Sequence, residues 1–267
     1  MARNRTRAAR VGLGILALWI ALSGRALAQA ASNDVSACGI PVYPPLSWVE
    51  SGSIRGVAPT LVKKVFEGLG YKVHLNQVGN WKRCLREVEE GHIDIVVGLF
   101  YHEARERYLV YSTAPIIEEP MVFFYNKARP VRFDRWEDLK GLRVGMLLGD
   151  TFGAEADEKI ERFMSVERVS SGEQNFGKLM YGRIDLMPLG LYGGSLQAQK
   201  MGYGEEIDHL DRPLASDFWY VGISKKSPLV KHIPHLNNEI TRMSQNGEIQ
   251  ALMDRFSAEY ILPTVIP

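Results

Sequence analysis

The chain has 267 residues, of which 46% are apolar and 24% are charged. This composition excludes a disordered polymer, a collagen-like repeat and a multi-pass membrane protein. The first 30 residues contain five arginines and no acidic residue, so the rest of the chain carries 27 basic and 31 acidic side chains, a net charge of −4. A mildly acidic body lacks the basic footprint of a nucleic-acid-binding protein, and its length suffices for one large domain or two small ones.

Residues 1–30 are predicted to be a cleavable export signal. Four arginines precede an apolar run from Val11 to Leu22, and Ala28 and Ala30 each end a small-x-small motif of the kind that signal peptidase cleaves. The run of 12 residues is too short for a spanning helix, which needs roughly 20. We therefore expect cleavage after Ala28 or Ala30 and a mature protein in the periplasm. A loose lipoprotein box at 35–38 lies too far from the apolar run to favour lipidation.

From Val35 onward, segments with strand and helix periodicity alternate, as in an α/β fold. Apolar residues recur with helical spacing over 61–69 and 81–88, and the alternating pattern of 71–75 predicts a strand between them. Ile93–Val97 is a continuous apolar run, typical of a strand buried on both faces. After Lys127 we predict a strand at 142–148, a helix from about 151 to 163, shorter strand-like and helix-like segments up to 210, a strand at 218–223, and helices at 229–244 and 248–256.

No Pro/Gly/Ser-rich linker separates two sequential domains in this chain. The segments that could connect two lobes, 120–125 and 218–223, are instead strand-like. Two extended crossings predict a chain that leaves one lobe, builds a second lobe and returns to the first.

The two cysteines, Cys38 and Cys84, can pair in an oxidising compartment. The alternative is two separate small buried residues. Their placement, at the first strand and in the helix that follows Trp81, favours a disulfide within one lobe. Neither cysteine has a second Cys or His at metal-ligand spacing, so we expect no metal site.

Three segments could contact a ligand. Tyr43 and Trp48 flank a rigid proline-rich loop and could present flat ring faces, although a turn with two packing aromatics would have the same sequence. Arg105 follows the buried strand, where α/β proteins bind ligands, and could grip a carboxylate with two parallel hydrogen bonds unless it is merely solvated. Asp150 and Thr151 join a strand to a helix, where free N–H groups attract anions, although either residue could simply cap the helix.

Evidence for catalysis or nucleotide binding is weak. The chain has no Gly-x-Ser-x-Gly elbow, no Walker-type lysine and no Gly-x-Gly-x-x-Gly motif, and its six histidines form no zinc-enzyme motif. We therefore expect no cofactor and no enzymatic activity. His102 and Glu118 are the candidates for an acid or base if the protein is an enzyme after all.

Several loose motifs follow one another in an order that is specific as a set. They are Gly91-His92-Ile93-Asp94, Arg105 seven residues before Ser112, Asp138-Leu139-Lys140-Gly141, Val144-Gly145 and Gly182-Arg183-Ile184-Asp185. Over residues 35–260 the chain resembles the periplasmic solute-binding proteins of the polar amino-acid uptake type, the extracellular solute-binding proteins of family 3. The resemblance implies an α/β fold of two lobes joined by two hinge strands, with a ligand cleft between the lobes. Lobe 1 would comprise residues 31–120 and 218–267, and lobe 2 residues 121–217.

The resemblance also assigns roles to individual residues. By position, Arg105 would bind the ligand carboxylate, Tyr43 would stack over the ligand, and Thr151 would reach it from lobe 2. The complete set of candidate ligand-binding residues is Tyr43, Trp48, Gly98, Phe100, Arg105, Asp150, Thr151 and Gly190.

Three departures from the family pattern place an ordinary α-amino acid in doubt. His102 replaces the usual threonine three residues before the arginine, and Gly98 and Phe100 lie in a shorter strand end where serines often occur. Gly190 takes the position at which amino-acid binders often have the carboxylate for the α-ammonium group. Asp150 could supply a substitute charge.

The function that the resemblance implies is a receptor that captures a small polar or carboxylated, amino-acid-like solute. Its partner would be the membrane permease of an ABC importer, and we expect a monomer that binds no nucleic acid. The alternatives are a periplasmic dehydratase-like enzyme on the same fold and a sensory protein whose lobes contact a receptor.

Overall fold

The computed structural model describes residues 33–262, and the predicted export signal lies outside the described residues. The described residues form an α/β fold. Its strands are β1 (Asp34–Cys38), β2 (Val42–Tyr43), β3 (Ser47–Glu50), β4 (Ser53–Arg55), β5 (Lys72–Leu75), β6 (Ile95–Phe100), β7 (Leu109–Tyr111), β8 (Ile117–Asn126), β9 (Arg143–Leu147), β10 (Ser165–Val169), β11 (Met187–Gly190), β12 (Ile207–His209) and β13 (Ala215–Ser224). Its α-helices are α1 (Val57–Gly68), α2 (Trp81–Glu90), α3 (Ala154–Phe163), α4 (Gly172–Met180), α5 (Leu191–Lys200), α6 (Ile233–Gln245) and α7 (Glu248–Ile261). Short 3₁₀ helices cover Glu103–Arg107, Trp136–Leu139 and Pro228–His232.

The largest sheet has the strand order β11-β8-β13-β6-β1-β5, with β7 paired to β13 and β12 paired to β8. Strand β1 is parallel to β5 and β6, whereas β13 is antiparallel to β6 and to β8. Strands β9 and β10 form a separate parallel pair, and β2, β3 and β4 form a small antiparallel sheet. None of the described helices is long and apolar enough to cross a membrane.

Two long strands, β8 and β13, connect the two lobes. Each has ten residues, and they pair with each other between 117–121 and 215–219. By the predicted division, lobe 1 would contain the elements before β8 and after β13, and lobe 2 the elements between them. Both predicted lobe boundaries, at 120/121 and 217/218, fall inside these crossing strands, and the residues at which the lobes end stay a prediction.

In each lobe, an aspartate whose carboxylate accepts several hydrogen bonds precedes a buried strand. We call this arrangement an aspartate clasp. The Asp94 carboxylate accepts hydrogen bonds from the backbone N–H and the hydroxyl of Ser36, both at 2.9 Å, and from the Ser227 hydroxyl at 2.7 Å. The Asp185 carboxylate accepts from the backbone N–H of Arg143 at 2.8 Å and from its guanidinium at 2.7 and 3.0 Å. The two Gly-x-x-Asp motifs of the sequence therefore tie neighbouring parts of the chain together.

These aspartate clasps explain where strands β6 and β11 begin. Strand β6 begins at Ile95 rather than at Ile93, because Asp94 is turned towards its clasp partners, and it is buried throughout. Strand β11 begins at Met187, two residues after Asp185, which is held by Arg143.

The predicted disulfide is confirmed. Cys38 and Cys84 are bonded, with a Cα–Cα distance of 5.9 Å, and both are buried. The bond joins the end of β1 to helix α2, so it lies within lobe 1.

Candidate functional site

Arg105 is turned inward by a short 3₁₀ helix that follows β6. His102 caps this helix, because its Nδ1 accepts a hydrogen bond from the backbone N–H of Ala104 at 3.2 Å. At the position of the usual threonine, His102 therefore serves as the helix cap in this chain. Burial of the His102 ring, reinforced by the Arg105 charge, lowers its pKa.

The buried guanidinium of Arg105 bridges the two lobes. It donates to the Phe100 carbonyl in lobe 1 at 3.2 Å and to the Gly149 carbonyl in lobe 2 at 3.0 Å. It also lies over the Trp81 ring, 5.7 Å from the ring centroid, where the aromatic face attracts a cation. Arg107, by contrast, is exposed and pairs with Glu89 at 2.8 Å.

Three buried aromatic rings pack against one another where the two lobes meet. The Trp219 ring lies 4.5 Å from the Tyr43 ring and 4.4 Å from the Phe100 ring, between centroids. The Tyr43 hydroxyl accepts a hydrogen bond from the backbone N–H of Gly190 at 2.7 Å and donates to the Met121 sulfur at 3.7 Å. Burial is the main cause that raises the pKa of Tyr43. Tyr43 therefore joins the lobe 1 aromatic cluster to the end of β11 in lobe 2.

Glu119 is a buried carboxyl group near the start of the crossing strand β8. Its Oε1 accepts from the backbone N–H of Gly193 at 3.1 Å, and its Oε2 accepts from the indole N–H of Trp219 at 2.9 Å. Burial raises the pKa of Glu119 to about 7, although these hydrogen bonds act in the opposite direction. The carboxylate also lies at the start of helix α5, where the helix dipole favours negative charge.

Glu119 occupies the space that a side chain at position 190 would need. A Cβ atom on Gly190 would lie 2.2 Å from Glu119 Oε1 and 2.3 Å from the Tyr43 hydroxyl oxygen. Steric crowding therefore explains why position 190, which departs from the family pattern, is a glycine. The carboxylate of Glu119, on β8, lies beside it.

Two further carboxyl groups lie within electrostatic reach of Arg105. Burial raises the pKa of Asp150 to about 6, while the positive charges of Arg105 and Arg168 act to lower it. Burial also raises the pKa of Asp217 on β13, against a smaller opposite effect of Arg105. Asp150 Oδ2 accepts from the backbone N–H of Leu147 at 3.2 Å. Together with Glu119, three carboxyl groups of the site thus have pKa values that burial raises.

The anion-binding groups predicted at Thr151 are engaged by the protein itself. The buried Thr151 hydroxyl donates to the Asp157 carboxylate, which also accepts from the backbone N–H of Phe152 at 2.9 Å. A ligand carboxylate could use these donors only if Asp157 moved. Neither Asp150 nor Thr151 caps helix α3, because its N-cap is Gly153, which has no side-chain hydrogen bond; the capping alternative is therefore wrong.

Two of the predicted ligand-binding residues, Trp48 and Gly98, make their contacts away from Arg105. The Trp48 ring packs against Phe256 and Tyr260 of helix α7, with centroids 5.6 and 5.4 Å away, so it has the packing role that the sequence left open. Gly98 lies inside β6, where a Cβ atom would meet Ala58 at 3.0 Å. Five of the predicted residues lie at the contact between the lobes: Tyr43, Phe100, Arg105, Asp150 and Gly190.

Sequence reasoning missed Trp81, Glu119, Asp157, Asp217 and Trp219 as parts of this site. A signal for Glu119 was present, because alternation along β8 places it on the same face as the buried Met121 and Phe123. The neighbouring Glu118, which was considered as an acid or base, is exposed and accepts from the Ser216 hydroxyl at 2.6 Å.

The family model for the bacterial extracellular solute-binding proteins, family 3, matches residues 36–259. The chain belongs to this family. No curated protein sequence matches it.

Solved structures share the two-lobed fold of periplasmic binding proteins. An amino acid ABC transporter substrate-binding protein, AbpA, from Streptococcus pneumoniae, solved bound to L-arginine, is 17% identical with a TM-score of 0.74 over 86% of this chain and 97% of that chain. The ancestral amino-acid-binding protein AncCDT-1, described as a precursor of cyclohexadienyl dehydratase, is 18% identical with a TM-score of 0.68 over 84% and 95%. A histidine kinase sensor domain with similarity to periplasmic binding proteins is 16% identical with a TM-score of 0.70, again over 84% and 95%. At these identities the likeness shows the fold alone.

Proposed function

We propose that the protein is a periplasmic receptor that captures a small carboxylated solute between its lobes and delivers it to the permease of an ABC importer. The observation that carries the proposal is the buried guanidinium of Arg105, which contacts both lobes at the cleft of a family 3 fold. The export signal and the periplasmic location are part of this proposal, since residues 1–30 lie outside the described residues.

Arg105 is the group that would hold the ligand carboxylate. A guanidinium has five N–H donors, and protein carbonyls take two of those of Arg105. The Gly149 carbonyl is the acceptor that lobe opening would withdraw, so a ligand carboxylate could replace it without leaving a buried donor unpaired. A planar guanidinium suits this task because its paired N–H groups match a carboxylate.

Acidic groups near Arg105 favour a solute that also carries a positive charge. Asp150 approaches from lobe 2 and Asp217 from the crossing strand β13, and burial raises the pKa of each. A ligand ammonium group beside them would stabilise their charged forms. The solute class that we propose is therefore a small zwitterion, with Asp150 in place of the carboxylate that is absent at Gly190.

The test is calorimetry on the purified mature protein with a panel of amino acids, dicarboxylates and amines, preceded by native mass spectrometry for a retained solute. Truncating an arginine that pairs with a buried anion costs about 2–5 kcal/mol, so Arg105→Ala should weaken binding by at least about thirtyfold. The matched control is Arg107→Ala, which should change affinity little. A cognate solute without an acidic group, or the reverse ranking of the two variants, would contradict the proposal.

Lobe closure is a separate test of the same proposal. Hinge bending about β8 and β13 should make the protein more compact when the solute binds, as small-angle scattering can measure. A protein that is compact already would show no change. In that case, restraining the lobes with an engineered crosslink between position 149 and helix α2 should slow solute exchange.

The alternative enzymatic function has little support in the cleft. His102 is a helix cap, Glu118 is exposed, and Glu119 already accepts hydrogen bonds at both carboxylate oxygens. A sensory function would use the same contacts between the lobes, through Arg105, Tyr43 and Gly190, and a histidine kinase sensor domain shares the fold. Solute uptake by cells that lack the protein distinguishes the two: a receptor for an importer is needed for uptake, whereas a sensor is needed only for the response.

A further inference from the structure

Outside the cleft, a groove of about 560 Å³ lies between helix α5 of lobe 2 and helix α7 of lobe 1, with part of β8 as its third side. Residues three or four apart share one face of a helix, and the residues that line the groove have this spacing on both helices. They include Tyr192 and Leu196 on α5, Met253 and Asp254 on α7, and Ile117 and Glu118 on β8.

The charged groups that line this groove are all acidic. Glu118 and Asp254 face it, and among the residues that the structure describes no lysine, arginine or histidine lines it. Within residues 33–262 these two acids have neutral hydrogen-bond donors instead of basic partners: Ser216 donates to Glu118 Oε1 at 2.6 Å, and Gln250 donates to Asp254 Oδ1 at 2.8 Å. A carboxylate has about four lone-pair sites, so both acids retain acceptor capacity.

The rest of the groove is apolar and aromatic. Ile117 and Leu196 are half-buried, Met253 is 7% exposed, and the Tyr192 side chain stays accessible, with 47% of its surface exposed. An accessible tyrosine ring attracts cations over its face. The volume is within the usual range for sites that bind small molecules.

We propose that this groove is a second binding site, separate from the cleft, for a small organic cation in which a protonated amine is joined to an aromatic or branched apolar body. The ammonium group lies between Glu118 and Asp254, and the apolar body packs against Leu196, Met253 and the ring of Tyr192. Because the two helices belong to different lobes, the occupant contacts both lobes from outside the cleft.

The probe is 2-phenylethylammonium, titrated into the full mature protein and followed by calorimetry and by methyl NMR of Leu196 and Met253. A ligand of this size is expected to bind with a dissociation constant of about 1 mM or below. The uncharged analogue 2-phenylethanol should bind at least about tenfold more weakly, because it cannot pair with the two carboxylates.

Matched variants identify the site. The double variant Glu118→Gln/Asp254→Asn keeps the side-chain shapes and should weaken binding at least about tenfold. Glu158→Gln/Glu205→Gln removes the same charge from exposed positions and should leave binding unchanged. If the double variant fails to fold by circular dichroism, Asp254→Asn alone should weaken binding about threefold.

The proposal is overturned by absence of saturable binding up to about 20 mM probe, or by equal affinity in the wild type and in the groove variant. It is also overturned if Arg105→Lys abolishes binding of the probe, since the probe would then occupy the cleft. Because the groove assay does not depend on the cleft ligand, a failed importer hypothesis leaves this result unaffected.

Discussion

Gly190→Ala tests whether the centre of the cleft is packed as described. The added Cβ atom would lie 2.2 Å from Glu119 Oε1 and 2.3 Å from the Tyr43 hydroxyl oxygen. The backbone angles of Gly190, φ −60° and ψ 138°, are open to any residue. The cost of the substitution is therefore steric and owes nothing to backbone strain.

Neither neighbour of the new methyl group can move freely. Glu119 is held at 3.1 Å by the Gly193 N–H and at 2.9 Å by the Trp219 indole, and the Tyr43 ring is packed 4.5 Å from that indole ring. Overpacking a well-packed core costs about 1–3 kcal/mol, and the loss of one hydrogen bond to Glu119 adds about 1 kcal/mol. We therefore expect the free energy of unfolding to fall by about 2–4 kcal/mol.

The assay is urea unfolding, in which the midpoint and the slope together give the free energy of unfolding. The matched control is Gly177→Ala in helix α4, where a Cβ atom would meet no atom within 4 Å. Alanine is the better helix former, so this control should raise stability by about 0.5–1 kcal/mol. If Gly190→Ala unfolds at the same urea concentration as the wild type, or at a higher one, the steric explanation of this glycine is wrong.

Three other predictions concern the pKa of Glu119, the two arginines and the disulfide. Burial raises the pKa of Glu119 from 4.5 to about 7, so between these pH values the folded protein binds more protons than the unfolded chain. The free energy of unfolding should therefore fall as pH rises through this window, by at most about 3 kcal/mol. Glu119→Gln should reduce this dependence of stability on pH. If thermal melts show the same pH dependence in the variant, the raised pKa does not belong to Glu119. Arg105→Ala removes two hydrogen bonds to carbonyls and should cost about 1–3 kcal/mol of stability, whereas Arg107→Ala removes one exposed pair and should cost below about 1 kcal/mol; equal melting temperatures would exclude a structural role for Arg105. Alkylation of the native protein should find no free thiol, and Cys38→Ala/Cys84→Ala should cost about 4 kcal/mol in the chain-entropy model; full alkylation without reduction would refute the disulfide.

The fold class, the two crossing strands β8 and β13 and the place of Arg105 could be predicted from the sequence alone. Periodicity predicts helices α1 and α2, and a continuous apolar run predicts the buried strand β6, because these patterns depend on residues close together in the chain. The order of loose family motifs placed Arg105 just beyond that strand. The Cys38–Cys84 bond could be predicted despite the distance in sequence, because the sequence has only these two cysteines and the predicted export signal favours an oxidising compartment.

The contacts of the other site residues depend on tertiary structure, because their partners lie far away in the sequence. Glu119 meets Trp219 across 100 positions of the sequence, and Tyr43 meets Gly190 across 147. Trp48 resembles a ligand-stacking residue in sequence, yet the rings that flank it come from a helix more than 200 positions away. A side chain's role depends on which hydrogen-bond partners and rings share its buried space, and in this fold those groups come from strands and helices that lie far apart in the sequence.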